Sequence, residues 1–191
     1  CWGAEFPSVR RCRVRQPVFA VPVVFIALAG CVAVSPGCEE TDPNKAKVTV
    51  AGREFTLELA LTDEQRFRGL SDRTSIAENG GMLFVFPDSR VAVHEFVMRD
   101  CPIPIDIIYL DRAGRVTASH AMKPDPPRSE AEKTNSPTWT NAAYEARLTR
   151  YSSRFPAQFA IELRGGTLET LKVKPGDKVE FDLVGLRKRA K

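Results

Sequence analysis

Hydrophobic and polar positions change their pattern along the chain, and the changes mark out its elements. Apolar and polar residues alternate over Lys47-Val48-Thr49-Val50 and over Phe55-Thr56-Leu57-Glu58-Leu59, with Ala51-Gly52-Arg53 between them. That period of two, broken by a turn, predicts a hairpin. Thr62-Asp63-Glu64-Gln65 has the form of a capping box, and Gly69 is placed to end a short helix. Gly80-Gly81 leads into the apolar run Met82 to Phe86, closed by Pro87-Asp88. Alternation returns from Val91 to Arg99, and Ile105 to Leu110 is nearly all apolar, as in a strand covered on both faces. Asp111 to Gly114 reads as a turn into Arg115–His120, Pro156 to Leu163 as a strand, Thr167 to Leu171 as a helical turn, and Lys178 to Val184 as a last strand. Ala142 to Arg150 reads as a helix.

Many short strands divided by turn signals predict a mainly β (α+β) domain. The expected form is a small barrel- or sandwich-like antiparallel sheet with a few short helices. The domain is expected over residues 47–186. Pro124, Pro126, Pro127 and Pro137 fall among Lys, Glu and Ser, which makes residues 122–151 a Pro-rich loop insertion. Residues 187–191 form a basic tail, expected to be a solvated end.

Ahead of this domain the pattern is different. Arg10, Arg11, Arg13 and Arg15 precede an apolar run of 13 residues, Pro17 to Ala29. A helical span of a bilayer needs about 20 residues, so a short apolar run behind arginines reads as a signal peptide. The run ends in Leu28-Ala29-Gly30-Cys31. These four residues resemble the lipobox of bacterial lipoproteins. The resemblance implies cleavage before Cys31, acylation of its thiol and a membrane partner through that lipid. Several acyl chains, at about 0.8 kcal/mol per buried CH₂, hold a protein far better than one. Ser35-Pro36-Gly37-Cys38 is a weaker second candidate, because Pro36 departs from the pattern. The expected location is the bacterial cell envelope, facing the periplasm. Residues 31–46, rich in Gly, Pro, Ser and acids, read as a flexible tether. In an oxidising compartment Cys38 and Cys101 are candidates to pair.

The leader also carries the charge. Four of the chain's 28 basic residues and one of its 24 acidic residues lie in residues 1–30. Residues 31–191 are left with a net charge of +1, which makes no electrostatic case for nucleic acid. A content of 43% hydrophobic and 27% charged residues fits an ordinary globular protein.

Several segments share their order with one known family. They are Arg66-x-Arg68-Gly69-Leu70, Gly80 to Pro87, Phe96-Val97-Met98-Arg99, Ile103 to Asp111, Gly114-Arg115-Val116, Ile161 to Thr167 and Lys174 to Val179. Together they resemble the domain-of-unknown-function 192 family, over roughly Val48 to Phe181. The resemblance implies a compact, mostly β fold with small helices and no established activity. The family usually has Trp at Val97, Lys at Arg99, Asn at Asp100 and Thr at Cys101, and tends to lack the Pro-rich stretch.

Candidate chemistry is sparse. Asp106 shares a strand face with Ile108 and Leu110, so its carboxylate has to be hydrogen-bonded, paired or protonated. It reads either as a cap on the backbone of a neighbouring loop or as a ligand-binding or general-base carboxylate. Arg68 and Arg99 are its candidate partners, and Arg66 reads as exposed helix charge. Phe84, Phe86, Phe96 and Met98 read as core or as the wall of an apolar pocket. His94, Met98, Cys101, His120 and Met122 are of the types that bind Cu(I). Residues 94 and 98, however, are about 13 Å apart on one strand at ~3.3 Å per residue, too far to share an ion. There is no Gly-x-Ser-x-Gly, no His-Glu-x-x-His, no phosphate-binding Gly loop and no Cys-x-x-Cys. The leading expectation is a non-catalytic envelope binding or accessory module for a small molecule or an envelope protein. Arg68, Met82, Phe96, Met98 and Asp106 are its ligand-binding candidates. The alternatives are an envelope hydrolase using Asp106 with Arg68 or Arg99, and a periplasmic copper-binding protein. No cofactor is assigned.

Overall fold

The computed structural model describes residues 42–133 and 141–191. Cys31, Cys38 and the leader lie outside these residues. Eight strands and four short helices follow in the order β1 (Lys45–Val50), β2 (Arg53–Ala60), α1 (Asp63–Arg68), β3 (Met82–Val85), β4 (Glu95–Phe96), β5 (Ile105–Leu110), β6 (Val116–Met122), α2 (Ala142–Arg147), β7 (Tyr151–Ser152), β8 (Phe159–Arg164), α3 (Thr167–Leu171) and α4 (Leu183–Arg189). The fold is a β-dominated α+β one. Six strands form an open sheet in the order β1-β2-β3-β8-β5-β6, and β4 pairs with β7 in a separate ribbon. The sheet does not close into a barrel, and it is not wholly antiparallel. The α1 crossover makes β2 and β3 parallel, with Glu58 opposite Met82, while the remaining neighbours are antiparallel.

Local chemistry explains the predicted elements that form. Ala51 and Gly52 both take positive φ, 49° and 81°, which suits the tight hairpin turn between β1 and β2. Thr62 and Gln65 make both bonds of the predicted capping box. Asp111 accepts from the N–H groups of Ala113 and Arg115 to fold the β5–β6 turn.

The sheet is packed on both faces. Val48, Leu57, Leu83, Ile161, Ile108 and Leu110 point to one face, beneath Leu168 of α3 and Leu186 of α4. Met82, Phe84, Ala160, Ile105, Ile107 and Tyr109 point to the other, beneath Met98, Phe96 and Leu70. This is why Ile105–Leu110 reads as continuously apolar: all six residues are buried.

Four expectations change. The alternation from Val91 to Arg99 yields only the two-residue strand β4, and Val93 is exposed. The last apolar run pairs only through two isolated bridges, Glu180 with Thr49 and Lys178 with Arg115. Asp182 then accepts from the Gly185 N–H and starts α4, so a side-chain cap overrides strand propensity. Residues 187–189, expected as part of a solvated basic tail, form the last turn of α4, where cations suit the helix dipole. Arg187 binds Asp88 there. Finally, the described parts of the Pro-rich insertion, residues 122–133 and 141–151, are folded against the domain. Asn141 caps α2, and Arg128 and Arg147 flank the buried ring of Tyr144 at 3.8 and 4.8 Å. Arg147 also grips Glu132, and Arg128 grips Asp100. Among the described residues no helix is long and apolar enough to cross a membrane.

Candidate functional site

A cleft of about 490 Å³ opens on the sheet face opposite α3 and α4. Its size is that of a small-molecule site. The sheet supplies the floor through Phe84 of β3 and Glu162 of β8; α1 and Gly69 form one wall, and His94 to Val97 another. The strand register fixes the floor. Glu162 lies between Met82 and Ile107 on neighbouring strands, so its side chain must point to the same face as theirs.

Glu162 is the unusual group. It is 5% exposed, and its Oε2 has no hydrogen-bond partner among the described residues. Burial alone pushes its carboxyl up to about 8, with no cation to oppose the shift. The acid is therefore mostly protonated at neutral pH. A buried polar group left unpaired costs about 1–3 kcal/mol. Gly69 keeps the space beside it open. A Cβ there would lie 3.7 Å from Glu162 Oε2 and 3.3 Å from the Phe84 ring.

Aromatic rings line the cleft. Phe84 meets Phe96 edge-to-face with centroids 4.9 Å apart, and His94 stacks on Phe86 at 3.7 Å. Burial lowers the His94 pKa below its usual value, and Nε2 of this imidazole is also unpartnered.

The arginines around the cleft have work of their own. Arg66, expected as exposed helix charge, is instead inserted and only 7% of its side chain is exposed. It donates to the carbonyls of Leu61 and Val85, both at 2.8 Å, and to Asp63. Leu61 follows β2 and Val85 ends β3, so the buried guanidinium ties two strand ends to α1. Arg90 also binds Asp63. Arg99 makes a bidentate pair with Glu145 at 2.6 and 2.8 Å and covers Phe67 at 4.4 Å.

The five ligand-binding candidates are only partly gathered. Arg68 and Phe96 line the cleft. Met82 is buried beside Glu162 in the sheet and lines an adjoining hollow with Arg68 and Gly69. Met98 lines a second cavity of about 600 Å³ walled by the insertion. Asp106 is separated from all of them, because its parity in β5 turns it to the α3 side. There its Oδ2 accepts from the Leu168 N–H at 2.7 Å. Burial raises its pKa, and the N–H groups of Leu168, Gly166 and Thr167 pull it back down. Asp106 is thus the backbone cap that one of its two readings describes. Its suggested partner Arg99 is committed to Glu145 on the other face.

The copper candidates are likewise dispersed. Phe86, Phe96 and Tyr109 stand in sequence between His94 and His120, so the two imidazoles do not face one ion. His120 Nε2 instead meets the Ser152 carbonyl at 2.8 Å. Among the described residues no three His, Cys, Asp or Glu side chains gather as metal ligands. Among the described residues Cys101 has no disulfide partner, and burial pushes its thiol up to about 12, too high for a nucleophile near neutral pH.

Glu162 was the residue that sequence reasoning passed over. It stands in Ile161-Glu162-Leu163-Arg164-Gly165-Gly166-Thr167, one of the segments that carry the family resemblance. Its signal was an acid at an interior position of an apolar strand, the same signal that drew attention to Asp106.

Comparison with known proteins agrees with the resemblance. The profile of the family described as an uncharacterized ACR, domain of unknown function 192, matches residues 46–181. A crystal structure of a candidate transcription regulator from Sinorhizobium meliloti 1021 is similar, with 28% identity and a TM-score of 0.54 over 73% of this chain and 95% of that one. So is a protein of unknown function from Novosphingobium aromaticivorans DSM 12444, with 28% identity and a TM-score of 0.52 over 71% and 83% of the two chains. No curated protein matches.

Proposed function

Since the chain belongs to the domain-of-unknown-function 192 family, a membership that assigns no activity, we propose its function from the cleft: a non-catalytic module that binds a small molecule against Glu162. In the same proposal, a lipid on Cys31 holds the module on a bacterial membrane, facing the periplasm. The leader ending in Leu28-Ala29-Gly30-Cys31 supports the tether. The observation that carries the binding function is the buried carboxyl of Glu162, whose Oε2 has no partner among the described residues, in a cleft kept open by Gly69. Such a group costs stability in the empty domain, and a ligand that completes its hydrogen bonds recovers that cost.

One observation favours a second reading, an envelope hydrolase. A carboxyl protonated near neutral pH suits a general acid. That acid would be Glu162, since Asp106 is spent on α3. Regulation of transcription, suggested by the description of the Sinorhizobium neighbour, is not carried over. A net charge of +1 over residues 31–191 offers little attraction for phosphates.

The test is native mass spectrometry of the full chain purified from its own host, beside Glu162→Gln. A small molecule retained by the parent, lost by the variant and released unchanged supports binding. Release of a cleaved product supports the hydrolase. An empty parent whose melting temperature no small molecule raises would sink both.

A further inference from the structure

We propose that the ligand is a small organic amine, whose ammonium group sits against the Glu162 carboxyl while its apolar body lies along Phe84 and Phe96. This rests on the binding function above and names the chemical class that the cleft takes.

Glu162 is set apart by what is missing around it. An acid meant to stay neutral would normally find a fixed acceptor for its proton, and Oε2 has no partner. An acid meant to hold an anion-binding arginine would have that arginine beside it. Among the described residues no cation acts on this carboxyl, and burial is the cause of its raised pKa. What remains is a buried acid at the floor of the cleft, beside Phe84, while the other charged side chains of the lining, Asp63, Arg66, Arg68, Arg90, Glu95 and Arg99, stand on its walls. A buried charge is stable only when paired, and no described cation pairs with this one. The partner that completes the site is thus a cation brought by the ligand.

The cleft suits such a ligand in shape. Gly69 has φ of 51° and no side chain, and the space above it touches both Glu162 Oε2 and the Phe84 ring. One group placed there meets a carboxylate and an aromatic ring together, as organic ammonium ions do in cation–π sites. Phe96 stands edge-to-face against Phe84 at 4.9 Å and extends the aromatic surface. The volume of about 490 Å³ accommodates a small molecule rather than a polypeptide segment.

The other charges facing the cleft neither replace the amine nor bar it. From α1, Arg66 binds Asp63, and Arg90 from the loop before β4 binds the same carboxylate. Beyond β4, Arg99 is neutralised by Glu145, and Glu95 faces Arg150. From β2, Glu58 lies on the Glu162 face and binds Arg73. Arg68 is at the wall. His94, Cys101 and Tyr109 are held neutral by burial.

The chemistry has a measurable signature. Near neutral pH the empty site holds a neutral carboxylic acid. When an ammonium ion binds, Glu162 ionises, the ion pair forms and one proton passes to solvent. Affinity therefore rises with pH, by about 50-fold from pH 6 to 8 for a carboxyl titrating near 8.

The experiment is isothermal titration calorimetry of the purified full chain with benzylamine, and with benzyl alcohol and benzoate as isosteres. Titrations in buffers of different ionisation enthalpy count the protons released. Benzylamine is expected to bind most tightly, release close to one proton at pH 7 and gain affinity toward pH 8. In Glu162→Gln the proton release disappears and benzylamine falls to the level of benzyl alcohol. Equal binding of the alcohol or the benzoate, with no proton release, overturns the amine and leaves the binding function standing. The same split follows if the molecule retained from the host is neutral or purely anionic. Failure of all three probes overturns the amine, and an empty native protein then removes the binding function as well.

Discussion

Gly69 and Glu162 come together in the cleft although they lie 93 positions apart in sequence, and a Cβ on the glycine would stand 3.7 Å from the carboxyl oxygen. The glycine ends α1 with φ of 51° and ψ of −133°, a region open to glycine and strained for other residues. Its backbone N–H closes the helix on the Gln65 carbonyl. One residue thus stops the helix and leaves room above the acid.

Gly69→Ala is expected to act on both properties. The backbone strain should cost about 1–3 kcal/mol in urea denaturation. Binding of any ligand retained from the host should weaken further, because the new methyl fills the space beside Glu162. A variant that binds like the parent would show that the ligand does not enter there.

Glu162 makes stability depend on pH with a sign opposite to that of an ordinary surface acid. Its pKa is about 8 in the folded protein against 4.5 as the ordinary value. Between those values the folded state holds a proton that the unfolded state has lost, so stability falls as pH rises from about 4.5 to 8. The full effect is of order 3–5 kcal/mol. Urea melts at pH 5, 7 and 9 should show the decline, and Glu162→Gln should flatten it. An unchanged slope in the variant would place the titrating group elsewhere.

Asp106→Ala tests the division between the sheet faces. It removes the acceptor for the Leu168 N–H and should cost about 1–3 kcal/mol. Ligand binding in the cleft should remain as in the parent, because Asp106 faces the other way. Loss of binding in a variant that still melts cooperatively would overturn this assignment.

Tyr144 should anchor the insertion. Its ring is 2% exposed between Arg128 and Arg147, and its hydroxyl accepts from the Asp100 N–H. Tyr144→Ala should cost about 3–5 kcal/mol and open the segment around 123–150 to limited proteolysis before the sheet unfolds. Cleavage spread evenly over the domain would mean that the insertion and the sheet are one cooperative unit.

Cys31→Ser tests the tether. Mass spectrometry of the parent from its host is expected to find an acylated amino terminus at Cys31, and the variant should leave the membrane fraction. An unacylated parent would remove the lipid anchor and keep the cleft.

Local rules make much of the fold legible in the order of residues. The Thr62–Gln65 capping box, the Ala51-Gly52 turn, the Asp111 turn and the apolar run Ile105–Leu110 each depend on neighbours within a few residues, so their physics is written along the chain. The same period-of-two rule correctly placed Asp106 with Ile108 and Leu110. What it could not supply was the identity of each face. Whether Asp106 or Glu162 looked into a cleft depended on where α3, α4 and the β4–β7 ribbon packed, and these come from distant parts of the chain. Leu183 and Val184 show the converse limit, since they are expected to end the last strand and instead start α4 behind the cap at Asp182. Sequence alone therefore specifies most of the strands, their turns and the family. That Glu162, Gly69, Phe84 and His94 share one cleft was settled only by tertiary packing, because burial and the loss of hydrogen-bond partners arise between segments and belong to no segment by itself.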